Sequence, residues 1–88
     1  MPMLTVKILG SGCLNCRYLE AETRLALDMM DPPIAYEIVK VTDFLDIASY
    51  GVLSVPALLM NEELLSAGRV PRREQIAQWA RERASNLD

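Results

Sequence analysis

Histidine is absent from this 88-residue sequence, and cysteine occurs only twice, as Cys13 and Cys16. A tetrahedral zinc site needs four ligands, most often Cys and His, so we do not expect this chain to build one alone. Two cysteines are also too few for the disulfide framework of a small secreted domain. In a reducing compartment, a close cysteine pair is more typical of a catalytic or metal-binding site than of a structural crosslink. The two thiols are therefore the first candidates for function.

Long apolar runs and an excess of positive charge are missing as well. No stretch approaches the ~20 apolar residues that span a bilayer, and no basic segment followed by an apolar run opens the sequence. Nine Lys and Arg against twelve Asp and Glu give a net charge of −3, which disfavours binding to nucleic-acid phosphates. We therefore expect a cytoplasmic protein that has no signal peptide and binds neither membranes nor nucleic acids.

What remains is the composition of a globular protein, with 51% hydrophobic and 24% charged residues. A domain of this size buries roughly 60–68% of the surface that its unfolded chain exposes, which is enough to fold alone. There is no internal repeat, low-complexity segment or linker. We therefore expect residues 1–88 to form a single, monomeric domain.

Apolar periodicity and turn residues divide the chain into seven elements. The predicted strands cover residues 4–9, 34–41, 55–60 and 64–67, and the predicted helices cover 14–30, 43–50 and 72–84. The order βαβαββα predicts an α/β fold with a four-stranded mixed sheet and three helices. The first two strands should be parallel, and the last two should form an antiparallel hairpin.

In the first helix, apolar residues recur with the spacing of one helical face, which we expect to be buried. These residues are Leu14, Tyr18, Ala21, Leu25 and Met29.

Local signals mark the ends of the shorter elements. Thr42 or Asp43 is placed to cap the second helix, and Gly51 to end it in a left-handed conformation. Residues 61–63 read as a hairpin turn, and Gly68 ends the last strand.

Cys13 and Cys16 lie where the first strand gives way to the first helix, just behind Gly10 and Gly12. Free N–H groups and the helix dipole favour an anion there, and they lower the pKa of cysteines in such motifs from ~8.5 to about 3.5–7.5. Cys13 is therefore the predicted nucleophile. Cys16, one turn further, is the predicted resolving thiol, which attacks a mixed disulfide and releases the substrate. The glycines let the chain turn tightly and leave Cys13 uncovered.

Three motifs, taken in order, resemble those of the thioredoxin-like superfamily. They are GSGCLNC at residues 10–16, YGVLSVPAL at 50–58 and GRVP at 68–71. The resemblance covers essentially the whole chain and looks closest to the small, glutaredoxin-sized thioredoxins of archaea and bacteria that carry a redox-active disulfide. It implies a thioredoxin-like fold and a thiol–disulfide oxidoreductase of the protein-disulfide reductase type.

The resemblance also implies the partners and the cofactor status. Substrates would be disulfides in proteins or small molecules, and an external donor similar to thioredoxin reductase would restore the dithiol. No cofactor and no metal is implied beyond the Cys13–Cys16 disulfide itself.

In that superfamily, the peptide bond before the strand-opening proline is cis, and the preceding residue faces the redox pair. Carried over, the Val55–Pro56 peptide would be cis. The Val55 backbone could then pair with an extended substrate, while the proline removes a hydrogen-bond donor beside the sulfurs. We therefore assign Gly12, Val55 and Pro56 to substrate binding.

The chain also departs from better-known relatives of that superfamily. Leu14-Asn15 replaces the Gly-Pro of thioredoxin between the cysteines, and Lys7 stands where thioredoxins often carry a buried aspartate. An ammonium near Cys13 would favour the thiolate, whereas the strand parity of Lys7 favours a solvated side chain. Residues 66–69 do not match the Gly-Gly-Asp of glutaredoxins, so glutathione dependence is not expected.

Two other functions would use the same cysteine pair. Heavy-metal-associated domains also place Cys-x-x-Cys between a strand and a helix, and two thiolates suit Cu(I). Their order, however, is βαββαβ, Ser11-Gly12 replaces their methionine, and Val55-Pro56 has no role in a copper carrier. A non-catalytic, redox-sensing interaction domain would need the same exposed thiol and resolving partner, and only kinetics separates it from a reductase.

Overall fold

The computed structural model describes residues 3–84, and within them the predicted order βαβαββα is confirmed. The strands are β1 (Leu4–Leu9), β2 (Tyr36–Val41), β3 (Ala57–Met60) and β4 (Glu63–Ala67). The helices are α1 (Leu14–Asp28), α2 (Phe44–Ser49) and α3 (Arg73–Ala84).

The four strands form one mixed sheet in the order β2-β1-β3-β4. β1 runs parallel to β2, with Val6 opposite Ile38, and antiparallel to β3, with Ile8 opposite Leu58. β3 and β4 form the predicted antiparallel hairpin. Because β1 is central, its carboxyl end delivers Cys13 to the middle of one edge of the sheet.

Alternating side chains of the central strands build a core on each face of the sheet. Leu4, Val6 and Ile8 face α1 and α3, which lie together on one side. The smaller core on the other side lies beneath α2 and comprises Leu9, Ile47, Val52, Ala57 and Leu59. The sheet is therefore covered on both faces, as expected for a sheet that contains a parallel pair of strands, here β1 and β2.

The buried face of α1 is not the one that the sequence predicted. The residues expected to point inward are all exposed: Leu14, Tyr18, Ala21, Leu25 and Met29. The residues that are buried lie on the opposite side: Cys16, Leu19, Thr23, Ala26 and Leu27. Thr23 fits this core because its hydroxyl donates a hydrogen bond of 2.7 Å to the Leu19 carbonyl.

Several element bounds also differ from the prediction. β2 begins at Tyr36 rather than at residue 34, although Ile34 still packs against the core. β3 begins at Ala57 rather than at residue 55, since Pro56 has no N–H to donate. α1 ends at Asp28 rather than at residue 30, where the Met30 N–H closes a tighter turn by donating to the Leu27 carbonyl.

The predicted local signals for α2 are confirmed. Asp43, and not Thr42, is the N-cap, and its carboxylate accepts from the N–H groups of Leu45 (2.9 Å) and Asp46 (3.1 Å). Gly51 follows the helix in the left-handed conformation, with φ of +75°.

The hairpin between β3 and β4 turns on Asn61 and Glu62, which both have positive φ, as a type I′ turn requires. The Asn61 side chain also accepts a hydrogen bond from the Thr5 N–H and so ties the turn to β1.

Candidate redox site

Cys13 is the N-cap of α1, with an extended backbone and an exposed side chain. Its sulfur accepts a hydrogen bond of 3.2 Å from the Cys16 N–H. This is the bond that a serine or aspartate oxygen makes at an ordinary N-cap. The free N–H groups of the first turn of α1 and the helix dipole favour negative charge, so this position stabilises the Cys13 thiolate once the disulfide is reduced.

Cys16 lies one turn further along α1, and only 6% of its surface is exposed. It forms a disulfide with Cys13, and the two Cα atoms are 5.1 Å apart. One sulfur is therefore open to a partner while the other is enclosed by the protein.

Two glycines shape the loop that leads to this disulfide. A Cβ atom at Gly10 would overlap the sulfur of Cys16, so only glycine permits this close approach. Gly12 has φ of +79°, and a Cβ atom there would meet nothing within 4 Å. The surface around Gly12, next to Cys13, is therefore open.

The loop before β3 brings Val55 and Pro56 to the disulfide. The Val55–Pro56 peptide is cis. Pro56 is fully buried, and its carbonyl accepts a hydrogen bond of 2.8 Å from the Gly68 N–H. Val55 is 44% exposed and adjoins Gly10. Within residues 3–84, the N–H and C=O of Val55 make no backbone hydrogen bond.

Lys7 lies on the α2 side of β1 and is bound there by two partners. Its ammonium forms an ion pair with Glu62 and donates a hydrogen bond of 2.8 Å to the Tyr50 hydroxyl. Hydrogen bonding to Glu62, followed by that to Tyr50, raises the pKa of Lys7 above its usual value. Glu62 belongs to the hairpin at the end of β1 opposite Cys13, so the lysine charge is drawn away from the disulfide.

Two grooves flank the disulfide, and sequence reasoning identified neither. The first is apolar and is lined by Phe44, Val52, Leu53 and Val55. Leu53 is fully exposed and Phe44 is 79% exposed. The signal in the sequence was Leu53 itself, an apolar residue in a loop that fits neither a strand nor a helix pattern.

The second groove is charged and lies beside Cys16, with Arg17, Glu20 and Lys40 along its side. Glu20 binds Arg24 at 3.1 Å and Lys40 at 3.4 Å. Hydrogen bonding to Arg24, aided by Lys40, lowers the pKa of Glu20. Arg17 makes no ion pair with any described residue, so no described carboxylate neutralises its charge in this groove.

Neither a metal cluster nor a membrane-spanning helix is found in the described part of the chain. Residues 3–84 contain no group of three or more His, Cys, Asp or Glu side chains arranged to hold a metal ion. None of their helices is long and apolar enough to cross a bilayer.

In this site, a helix begins at an exposed cysteine that is disulfide-bonded to a buried cysteine, and a loop with a proline lies beside the pair. This arrangement defines a thioredoxin-like dithiol/disulfide domain. Comparison with known proteins agrees: residues 4–81 match the thioredoxin domain family. The chain is also 34% identical to a thioredoxin from Methanothermobacter thermautotrophicus over 74 residues, which are 84% of this chain and 94% of that protein. The chain therefore belongs to the thioredoxin domain family, and its general chemistry is thiol–disulfide oxidoreduction.

Proposed function

We propose that this protein is a protein-disulfide reductase in which Cys13 is the nucleophile and Cys16 the resolving thiol. The Cys13 thiolate attacks a substrate disulfide, forms a mixed disulfide and releases the first substrate thiolate. The Cys16 thiolate then attacks the Cys13 sulfur, releases the second substrate thiolate and closes the Cys13–Cys16 disulfide. Two electrons pass to the substrate, and an external dithiol donor similar to thioredoxin reductase returns them.

The observation that carries this proposal is the unequal environment of the two sulfurs. Cys13 is exposed and accepts a helix N–H, whereas Cys16 is buried one turn away. An incoming disulfide can reach only the first sulfur, and the second is held within bonding distance of it. This difference between the two sulfurs is what nucleophilic attack by one thiolate, followed by intramolecular release of the substrate by the other, requires.

The surroundings of the disulfide favour an extended protein segment as substrate. The unpaired N–H and C=O of Val55 offer backbone hydrogen bonds to such a segment, as in strand addition. Phe44 and Leu53 supply exposed apolar surface beside it, of a kind typical of protein contacts. Gly12 leaves the approach to Cys13 open. We place this activity in the cytoplasm, where a reducing donor is available.

Reduction of insulin with dithiothreitol as the terminal reductant tests the proposal. The Cys13→Ser variant is expected to fall to the rate of dithiothreitol alone, because no nucleophile remains on the surface. The Cys16→Ser variant keeps the nucleophile and is expected to accumulate a mixed disulfide with insulin, visible by mass spectrometry. If wild type is no faster than Cys13→Ser, the protein is not a reductase, and a redox-sensing role takes its place.

Alkylation of the reduced protein tests the roles of the two thiols separately. Iodoacetamide is expected to modify Cys13 at least ~10-fold faster than Cys16, because Cys13 is exposed and its thiolate is stabilised by the helix N-terminus. Peptide mass spectrometry after timed quenching gives both rates in one sample. Equal rates, or faster modification of Cys16, would reverse the assignment of nucleophile and resolving thiol.

A further inference from the structure

α1 carries apolar residues on two opposite faces, and only one of them is covered. At 100° per residue, the buried residues centre on the side that faces the sheet and α3. The outer stripe, on the opposite side, consists of Leu14, Tyr18, Ala21, Leu25 and Met29. Its large members are exposed by 67% (Leu14), 56% (Tyr18), 46% (Leu25) and 68% (Met29). It runs for about 22 Å, the length of the helix.

A surface helix normally has one apolar stripe directed to the core and a polar face toward water. A second stripe that is contiguous and exposed marks an interaction surface. From Leu14 to Leu25 the spacing is four, three and four residues, which is the seam of a heptad repeat and suits packing against another helix.

We propose that the outer stripe is a homodimer interface, in which the α1 helices of two copies of this chain pack antiparallel about a two-fold axis. The spacing is self-complementary, because reversal of the outer stripe about its own midpoint exchanges Leu14 with Met29 and Tyr18 with Leu25. Ala21 then lies at the crossing point, where a small side chain lets the helices approach. A two-fold contact of one surface with itself is the commonest arrangement of oligomers.

Charges beside the stripe favour the same arrangement. Arg17 and Asp28 lie on one flank, near opposite ends of α1, so antiparallel pairing brings Arg17 of one copy toward Asp28 of the other. Arg17 has no ion-pair partner among the described residues of its own chain. Asp28 accepts one hydrogen bond, of 2.6 Å, from the Tyr36 hydroxyl through a single carboxylate oxygen, so its other oxygen remains for the second copy. The two-fold axis makes this pair twice.

A dimer of this kind differs from the monomer expected from the sequence, and sedimentation equilibrium of the oxidised full chain tests it. From about 1 μM to about 1 mM chain, the mean mass of wild type is expected to rise from 9.9 kDa toward twice that value. Leu25→Glu is expected to lower the association constant at least ~10-fold. Leu45→Glu is the matched control: Leu45 is 74% exposed on α2, away from the stripe, and this variant should associate like wild type.

A charge exchange tests the antiparallel register. Arg17→Asp and Asp28→Arg are each expected to weaken association by about 3- to 10-fold, since each breaks both symmetry-related pairs. The double variant should recover most of the loss, although the two positions are too far apart on one helix to interact. Failure of the double variant to recover would overturn the antiparallel arrangement.

Two other outcomes would overturn the proposal altogether. One is a wild-type chain that stays monomeric over the whole concentration range. If Leu25→Glu then slowed insulin reduction, the stripe would belong to a substrate protein rather than to a second copy. The other is a wild-type dimer that Leu25→Glu leaves intact, which would place the interface elsewhere. Neither outcome bears on the roles of Cys13 and Cys16, which insulin reduction tests independently.

Discussion

Replacement of Leu19 by alanine is expected to lower the free energy of unfolding by about 2–5 kcal/mol. The same replacement at Leu25 is expected to change it by no more than about 0.5 kcal/mol. Leu19 is fully buried between α1 and the sheet, so truncation removes apolar contacts and leaves a cavity. Leu25 lies on the opposite side of the same helix, and nearly half of its surface is already in water.

The two variants are controls for each other, because both change leucine to alanine in one helix and gain the same helix propensity. Urea unfolding followed by circular dichroism gives both values, and a dilute sample keeps any association of the outer stripe from contributing. A larger loss for Leu25→Ala than for Leu19→Ala would show that the buried face of α1 has been assigned to the wrong side.

The buried side of α1 is the feature for which the prediction from sequence was wrong. The series through Leu14 and Leu25 contains only apolar residues, so its period resembles a core-facing stripe. The series that is buried includes Cys16 and Thr23, which read as less apolar in sequence. Thr23 becomes compatible with the core only through its hydrogen bond to the Leu19 carbonyl, and periodicity does not report such a bond. Two apolar faces on one helix cannot be ranked without knowing which side meets the sheet.

Elements with a strong local cause were predictable. Asp43 caps α2 because a carboxylate can reach the N–H groups two and three residues ahead, and Gly51 ends the helix because it tolerates positive φ. The hairpin at Asn61 and the alternation in β1 are equally local. The thioredoxin-like order of elements followed from these signals together with three motifs, and the family match confirms it.

The surroundings of the disulfide were less predictable, since they are made by residues far apart in sequence. Phe44 and Leu53 come from separate segments, and they line one groove because α2 and the loop before β3 reach the same edge of the sheet. Lys7 was open to two interpretations because its partner Glu62 is 55 positions away. Cys13 and Cys16, three positions apart on one helix, could be found because their relation is local.

Gly10→Ala is expected to destabilise the oxidised protein by about 1–3 kcal/mol, because the new methyl group would occupy the space of the Cys16 sulfur, which the disulfide holds in place. Gly12→Ala is the control, since its methyl group meets nothing and only the positive φ costs about 1 kcal/mol. After reduction the Cys16 side chain is free to rotate away from residue 10, so Gly10→Ala should cost less in the dithiol form.

The reduction potential depends on the difference in stability between the oxidised and the dithiol form. Each ~1.4 kcal/mol by which a substitution destabilises the oxidised form more than the dithiol form raises the potential by ~30 mV. Gly10→Ala is therefore expected to make the disulfide easier to reduce by up to a few tens of millivolts. Gly12→Ala should leave the potential nearly unchanged, because its strain is present in both forms. Equilibration of each variant with glutathione buffers measures this shift. A potential that moves equally in both variants, or falls in Gly10→Ala, would show that residue 10 does not act through contact with Cys16.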